Sequence, residues 1–274
     1  MPQPHYDVLN HVESVMNYLA DEETNPAYYL YEPKPNFTPP PPAAKKSTVK
    51  IYDIRSIEHL LTLDLNGFEL AQRELPRINF LNKESVKSSY YPECADLVMK
   101  STGATNVIAF DYNVRDYDLA ETDETIRKPV RFVHNDYTET SGPQRVKDLM
   151  GDQAQSLIAR RYAFINVWRP LRGPVLDFPL AVIDARSLSV EDFVETDLKY
   201  ADRTGKVYSV RNNPAHRWCY LNEMQEDEIL LLKCFDSAMD GRSRYTAHAS
   251  FRNPKAPENH LSRRSIETRT IAFF

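Results

Sequence analysis

The segment Arg131–Thr138, RFVHNDYT, sets an imidazole and a carboxylate two residues apart at the end of an apolar run. On a β-strand, residues i and i+2 share a face, so His134 and Asp136 would converge while Asn135 turns away. An imidazole nitrogen and a carboxylate oxygen at one point can grip a divalent metal. Of the seven histidines, His5 and His11 fall in the N-terminal segment. His59 falls in SIEHLL, where a surface or packing role is the simpler reading. His216, His248 and His260 remain as partners. In RYTAHASF, Arg244, Thr246, His248 and Ser250 occupy one face of an alternating strand, and Tyr245, Ala247, Ala249 and Phe251 the other. His248 is therefore the first choice. His216, in the turn-like RNNPAHRW, is second, and His260, in KAPENHLS, is third.

Near the C-terminus, Arg263, Ser265, Glu267 and Arg269 alternate along one strand face. A guanidinium fork with a hydroxyl two residues on can jointly hold a carboxylate, and Glu267 is expected to pair with one of the two arginines. Two imidazoles and one carboxylate on one side of a metal leave its other side open, an arrangement that suits Fe(II) and admits a keto acid and then dioxygen. A plainer alternative stands beside this. His-x-Asp ends many strands by chance, His248 could be a hydrogen-bonded core histidine, and the Arg/Glu/Arg row could be a solvated ion-pair face.

Such a constellation needs strands to carry it, and the chain supplies them. VKIYDI (49–54), NVIAFDYNVR (106–115), VRFVHND (130–136), YAFINVWRPL (162–171), FPLAVID (178–184), KVYSV (206–210), HRWCYL (216–221), EILLLKCFDS (228–237), RYTAHASF (244–251) and SIETRTIAFF (265–274) read as strands. Helical patterning covers 83–101, with Pro92 at a helix start and Gly103 beyond its end, and 141–161, broken near Gly151. A short helix is expected over roughly 7–20, joined by the proline-rich PKPNFTPPPPAAKK (33–46) to the body. The order predicts a mainly β fold with flanking helices and a β-sandwich or jelly-roll core, preceded by an N-terminal arm over 1–48.

The 274 residues suffice for one large core, and 42% hydrophobic content argues for a globular chain. A net charge of −5 gives no electrostatic reason to expect nucleic acid. No apolar run is long enough to span a membrane, and no basic-then-apolar leader is present, so a cytoplasmic protein is expected. Three cysteines without a CxxC pair speak against zinc ribbons and disulfide scaffolds. The seven glycines include no GxGxxG or P-loop pattern, so any cofactor should be held by side chains.

The chain resembles the nonheme Fe(II)/2-oxoglutarate-dependent oxygenases of the fungal hydroxylase/desaturase group, alongside gibberellin desaturase, cephalosporin 7-alpha-methoxylase and meroterpenoid endoperoxide synthase. The matching stretches are VKIYDIR (49–55), LNGFEL (65–70), STGATNVIAFDYNVR (101–115), VHNDYT (133–138), INVWRPLRGPVLDFPLAVID (165–184), HRWCYLNEMQEDEILLLKCFDS (216–237), HASF (248–251) and RRSIETR (263–269). The resemblance implies a double-stranded β-helix (jelly roll, cupin-like) over 49–274. It assigns iron to His134, Asp136 and His248, and the distal carboxylate of 2-oxoglutarate to Arg263 with Ser265. Asn166 or Arg169 would support the cosubstrate or Asp136. Arg264 stands where the family often has an acidic residue, on the outward face. The implied reaction consumes O2 and 2-oxoglutarate, releases succinate and CO2, and oxidises an unactivated C–H bond of a terpenoid, meroterpenoid or polyketide-like molecule by hydroxylation, desaturation or endoperoxide formation. Tyr112, Tyr117, Tyr137, Phe164 and Trp168 are candidate pocket walls, and the N-terminal arm could build a homodimer. Two readings compete: a cupin-like metalloenzyme without a keto acid, and a non-catalytic β-sandwich binding protein.

Overall fold

The computed structural model describes residues 6–116, 118–121 and 128–274. Among them are fourteen strands: β1 (His11–Leu19), β2 (Ala27–Tyr29), β3 (Ala44–Asp53), β4 (Phe68–Gln72), β5 (Asn106–Asp116), β6 (His134–Asn135), β7 (Tyr162–Pro170), β8 (Leu180–Ile183), β9 (Phe193–Lys199), β10 (Thr204–Val210), β11 (Trp218–Tyr220), β12 (Glu228–Asp236), β13 (His248–Ser250) and β14 (Arg264–Phe273). A nine-stranded sheet runs β1-β3-β11-β8-β13-β6-β10-β9-β2, and a five-stranded sheet runs β4-β12-β7-β14-β5. The larger sheet curls until β1 meets its far side: Asn17 bridges Phe132, Leu19 bridges Arg211, and Val133 N–H donates to Asn17 C=O at 2.9 Å. The expected mainly β jelly roll with flanking helices is the architecture observed.

β7 shows why the five-stranded sheet forms. All nine of its residues are buried, because both faces are covered. Tyr162, Phe164 and Trp168 join Leu230, Leu232, Ile271 and Phe273 between the two sheets. Ala163, Ile165 and Val167 face outward with Ile229, Leu231 and Ile266, under Cys94, Leu97 and Val98 of helix α1 (Tyr91–Thr102). Pro92 sits in the first turn of α1. Gly103, at φ 70, ends the helix where a side chain would be strained. Helix α2 (Ser141–Met150) ends at Gly151 and lays Gly142 on the Phe235 ring, where a Cβ would come within 3.1 Å of it.

The helix expected over 7–20 is not there. A short turn at Tyr6–Val8 precedes β1, which pairs antiparallel with β3 from His11↔Tyr52 to Leu19↔Ala44. Val12, Met16 and Tyr18 lie on one side at even spacing and are buried, so the two-residue period won over a helical one. The strands expected over 130–136 and 244–251 shrink to β6 and β13, two and three residues long. Their neighbours turn away to other partners, as when Arg244 and Tyr245 bond Glu139.

A candidate iron centre between the sheets

β6 and β13 are adjacent in the larger sheet, and His134 and His248 are direct register partners. Their rings lie 4.5 Å apart. Asp136, just past β6, turns back to the same point, with Oδ1 3.6 Å from His134 Nε2. One ligand atom from each of the three lies within 4.8 Å of the others, and no other such cluster occurs among the described residues. Each ring is fixed through its other nitrogen: His134 Nδ1–H donates to Phe132 C=O at 2.8 Å and His248 Nδ1–H to Thr246 C=O at 3.3 Å. That tautomer leaves both Nε2 lone pairs for a metal. Burial, with His248 beside it, pulls His134 down to about 4, so the imidazole is neutral near pH 7. Burial opposes charge on Asp136, but the Arg269 guanidinium and the two imidazoles outweigh it and hold the carboxyl well below its usual range. Two imidazole nitrogens and one carboxylate oxygen fit a divalent iron.

A narrow cavity beside this point is lined by His134, His248, Trp168, Arg115, Arg263 and Glu267. Arg263 comes from the residue ahead of β14, is buried, and passes 5.5 Å over the Trp168 ring. Its Nη1 donates to Phe178 C=O, while Nε has no hydrogen-bond partner. Burial, reinforced by the Arg115 charge, pulls the guanidinium down to about 9. Ser265 Oγ, on the same face of β14, is also buried and without a partner. A buried cation and a buried hydroxyl with unused donors are what an incoming carboxylate would satisfy. The free space is about 20 Å³, so a keto acid must push side chains aside to enter.

Of the other expected residues, Asn166 joins the site, since its Nδ2 donates to Asp136 Oδ2 at 2.7 Å. Arg169 does not. It lies on the opposite face of β7 and donates to the Arg73 and Glu226 carbonyls, holding the end of β4 to the turn before β12. An odd offset from Asn166 to Arg169 puts the two on different faces. Tyr112 is likewise displaced; its ring meets Tyr91 of α1 edge-on at 6.0 Å, outside the sandwich. Tyr137 and Phe164 stack on each other at 4.1 Å within the core and are no wall of this cavity. Trp168 is the one expected aromatic that lines it, and Tyr117 lies outside the described residues. His216 is held by Tyr18 and Asp192, and His260 by Asp177, both away from the cluster. Arg264 points outward onto Asp116, as expected.

One contact escaped the sequence reading. Arg269 Nε lies 3.2 Å from Asp136 Oδ2 and makes an ion pair there. Glu267, expected to pair with one of the two arginines, takes Arg269 at 3.6 Å and also lines the cavity. Both lie on the alternating face that begins at Arg263, so the period carried the signal. Which carboxylate lay opposite did not follow from it.

A family profile described as an oxidoreductase/YMDC permease-like domain matches residues 16–273. The hydroxylase/desaturase efuI of Hormonema carpetanum is 33% identical over 82% of this chain and 83% of its own length. The Fe(II)/2-oxoglutarate-dependent dioxygenase nvfI of Aspergillus novofumigatus is 30% identical over 90% of each chain. The solved structure of the iron and alpha-ketoglutarate-dependent endoperoxidase NvfI superposes with a TM-score of 0.88 at 27% identity, covering 96% of this chain and 98% of that one. No described helix is long and apolar enough to cross a membrane. With its jelly roll and its His-Asp-His cluster, the chain belongs to the fungal Fe(II)/2-oxoglutarate-dependent dioxygenases.

Proposed function

We propose that the chain oxidises an unactivated C–H bond of an apolar natural product, with His134, Asp136 and His248 holding Fe(II) and Arg263 with Ser265 receiving the distal carboxylate of 2-oxoglutarate. The observation that carries this is a cluster of three ligand atoms within 4.8 Å, two of its residues lining the same narrow cavity as an arginine whose Nε is unsatisfied. The second half of that observation favours a keto-acid enzyme over a cupin-like one, because a metal alone gives no use to a buried, unpartnered guanidinium nitrogen and hydroxyl. Bound iron, with 2-oxoglutarate and dioxygen, supplies an oxidant strong enough for a C–H bond, at the cost of succinate and CO2.

The chain's own part is placement. The Phe132 and Thr246 carbonyls aim the two Nε2 atoms, and Asn166 holds the carboxylate. Trp168 shields Arg263 from water, which strengthens its pull on an anion. Leu180 and Val130 give the cavity an apolar side against which a terpenoid, meroterpenoid or polyketide-like substrate would lie. The relatives' names include hydroxylase, desaturase and endoperoxidase, and the fate of the substrate radical among these three depends on how that apolar side holds it. The cysteines are all buried free thiols, which suits a reducing, cytoplasmic setting.

The test is anaerobic loading with Fe(II) and 2-oxoglutarate. A weak visible charge-transfer band should appear, His134→Ala should lose it, and admission of air should release succinate. A wild-type protein showing neither band nor succinate would overturn the proposal.

A further inference from the structure

We propose that Arg269 is a positioning residue that keeps Asp136 a one-oxygen ligand and so protects a coordination position on the metal. This rests on the assignment of Asp136 to iron made above. The two oxygens of Asp136 have different surroundings. Oδ2 accepts from Asn166 Nδ2 at 2.7 Å and from Arg269 Nε at 3.2 Å. Oδ1 is the oxygen nearer His134 Nε2. One oxygen is thus committed to two donors, and the other faces the imidazoles. Asn166 and Arg269 are register partners on β7 and β14, so the two donors arrive from neighbouring strands at fixed spacing.

The rest of the guanidinium is held as firmly. Nη1 meets Asp111 Oδ2 at 2.7 Å and Nη2 lies 3.6 Å from Glu267 Oε1. Glu267 Oε1 is itself 3.3 Å from Asn166 Nδ2. Asp136 has more need of such a hold than its partners. The histidines sit on paired strands with their Nδ1 atoms tied to backbone, whereas Asp136 lies just beyond the end of β6. A carboxylate free to turn can chelate a metal through both oxygens. That would take one of the positions that a bidentate keto acid and then dioxygen divide between them. A lysine at 269 would keep the charge but, with one nitrogen, could not reach Asp136, Asp111 and Glu267 in their fixed directions.

The experiment uses metal-stripped protein and Co(II), whose visible absorption reports ligand number and geometry without turnover. Arg269→Lys should keep the apo melting temperature within a few degrees, weaken Co(II) binding about 10- to 100-fold, and shift the Co(II) band. Arg263→Ala should leave the band of Co(II) alone unchanged. Wild-type affinity and an unshifted band in Arg269→Lys would overturn the proposal, because a purely structural arginine would not move the spectrum. Should wild-type protein itself bind no Co(II), the metal assignment fails instead, so the two failures are told apart.

Discussion

Arg263 and Ser265 divide their strand face with Glu267 and Arg269, and the division predicts separable losses. Arg263→Ala removes a buried cation that touches no metal ligand, so 2-oxoglutarate affinity should fall by about 100-fold or more while iron affinity changes by less than about threefold. Titrating the charge-transfer band with each component in turn measures both. A second residue carries a pH signature. Asp184 is fully buried and accepts from Tyr6 at 2.5 Å, from Asn66 at 3.2 Å and from Arg186. Burial opposes its charge, but these donors win and hold the carboxyl below its usual value. A depressed carboxyl contributes stability above the unfolded value near 4, lost as pH falls through the folded one. Asp184→Asn should therefore cost about 2 kcal/mol at pH 7 and progressively less on acidification below pH 4, read from urea midpoints. At this scale the sequence was informative where spacing was enough. His134, Asp136 and His248 follow from a two-residue period on strands. Arg169 was offered beside Asn166 on a matched motif, but the odd offset between them sends it to the other face of β7, and Tyr112 packs on α1 outside the sandwich, a placement that only the fold reveals.

Elements were legible where a run of β-branched and aromatic residues marked them rather than by length, since seven-residue β9 and five-residue β4 were both missed. β7, β12 and β14 are long, rich in β-branched and aromatic residues, and stood out. β2 was missed at three residues, and β1 was read as a helix because HVESVMNYL also satisfies a loose helical spacing. Its pairing with β3 is a long-range contact that no local pattern encodes. Thr246, two residues before β13, packs against Gly67, whose φ of 81 and lack of a side chain let the two approach. A Cβ there would fall 1.8 Å from Thr246 Oγ1. Gly67→Ala should thus push aside the residue whose carbonyl orients His248. We expect a loss of about 2 kcal/mol or more in stability together with weaker metal binding, by melting and by Co(II) titration. Full metal affinity in a folded Gly67→Ala protein would contradict this.

Across the whole molecule, the proposed metal ligands come from β6, its flank and β13, and the proposed cosubstrate anchor from the residue ahead of β14, so the site exists only when both sheets face each other. Metal binding should then favour the folded state as a unit. Removing metal with a chelator should lower the melting midpoint by about 5 °C, and His134→Ala protein should show no such shift. β14 is flanked by β7 on one side and by β5 on the other. β14 is therefore the plank that the earlier strands lean on, and β5 must wait for its partner until everything between them has been made. Losing β14 from the chain would do more than remove one strand. It would leave β5 detached, expose the apolar flank of β7, and hand the cell's quality-control machinery a polypeptide with no oxidation centre to fold around.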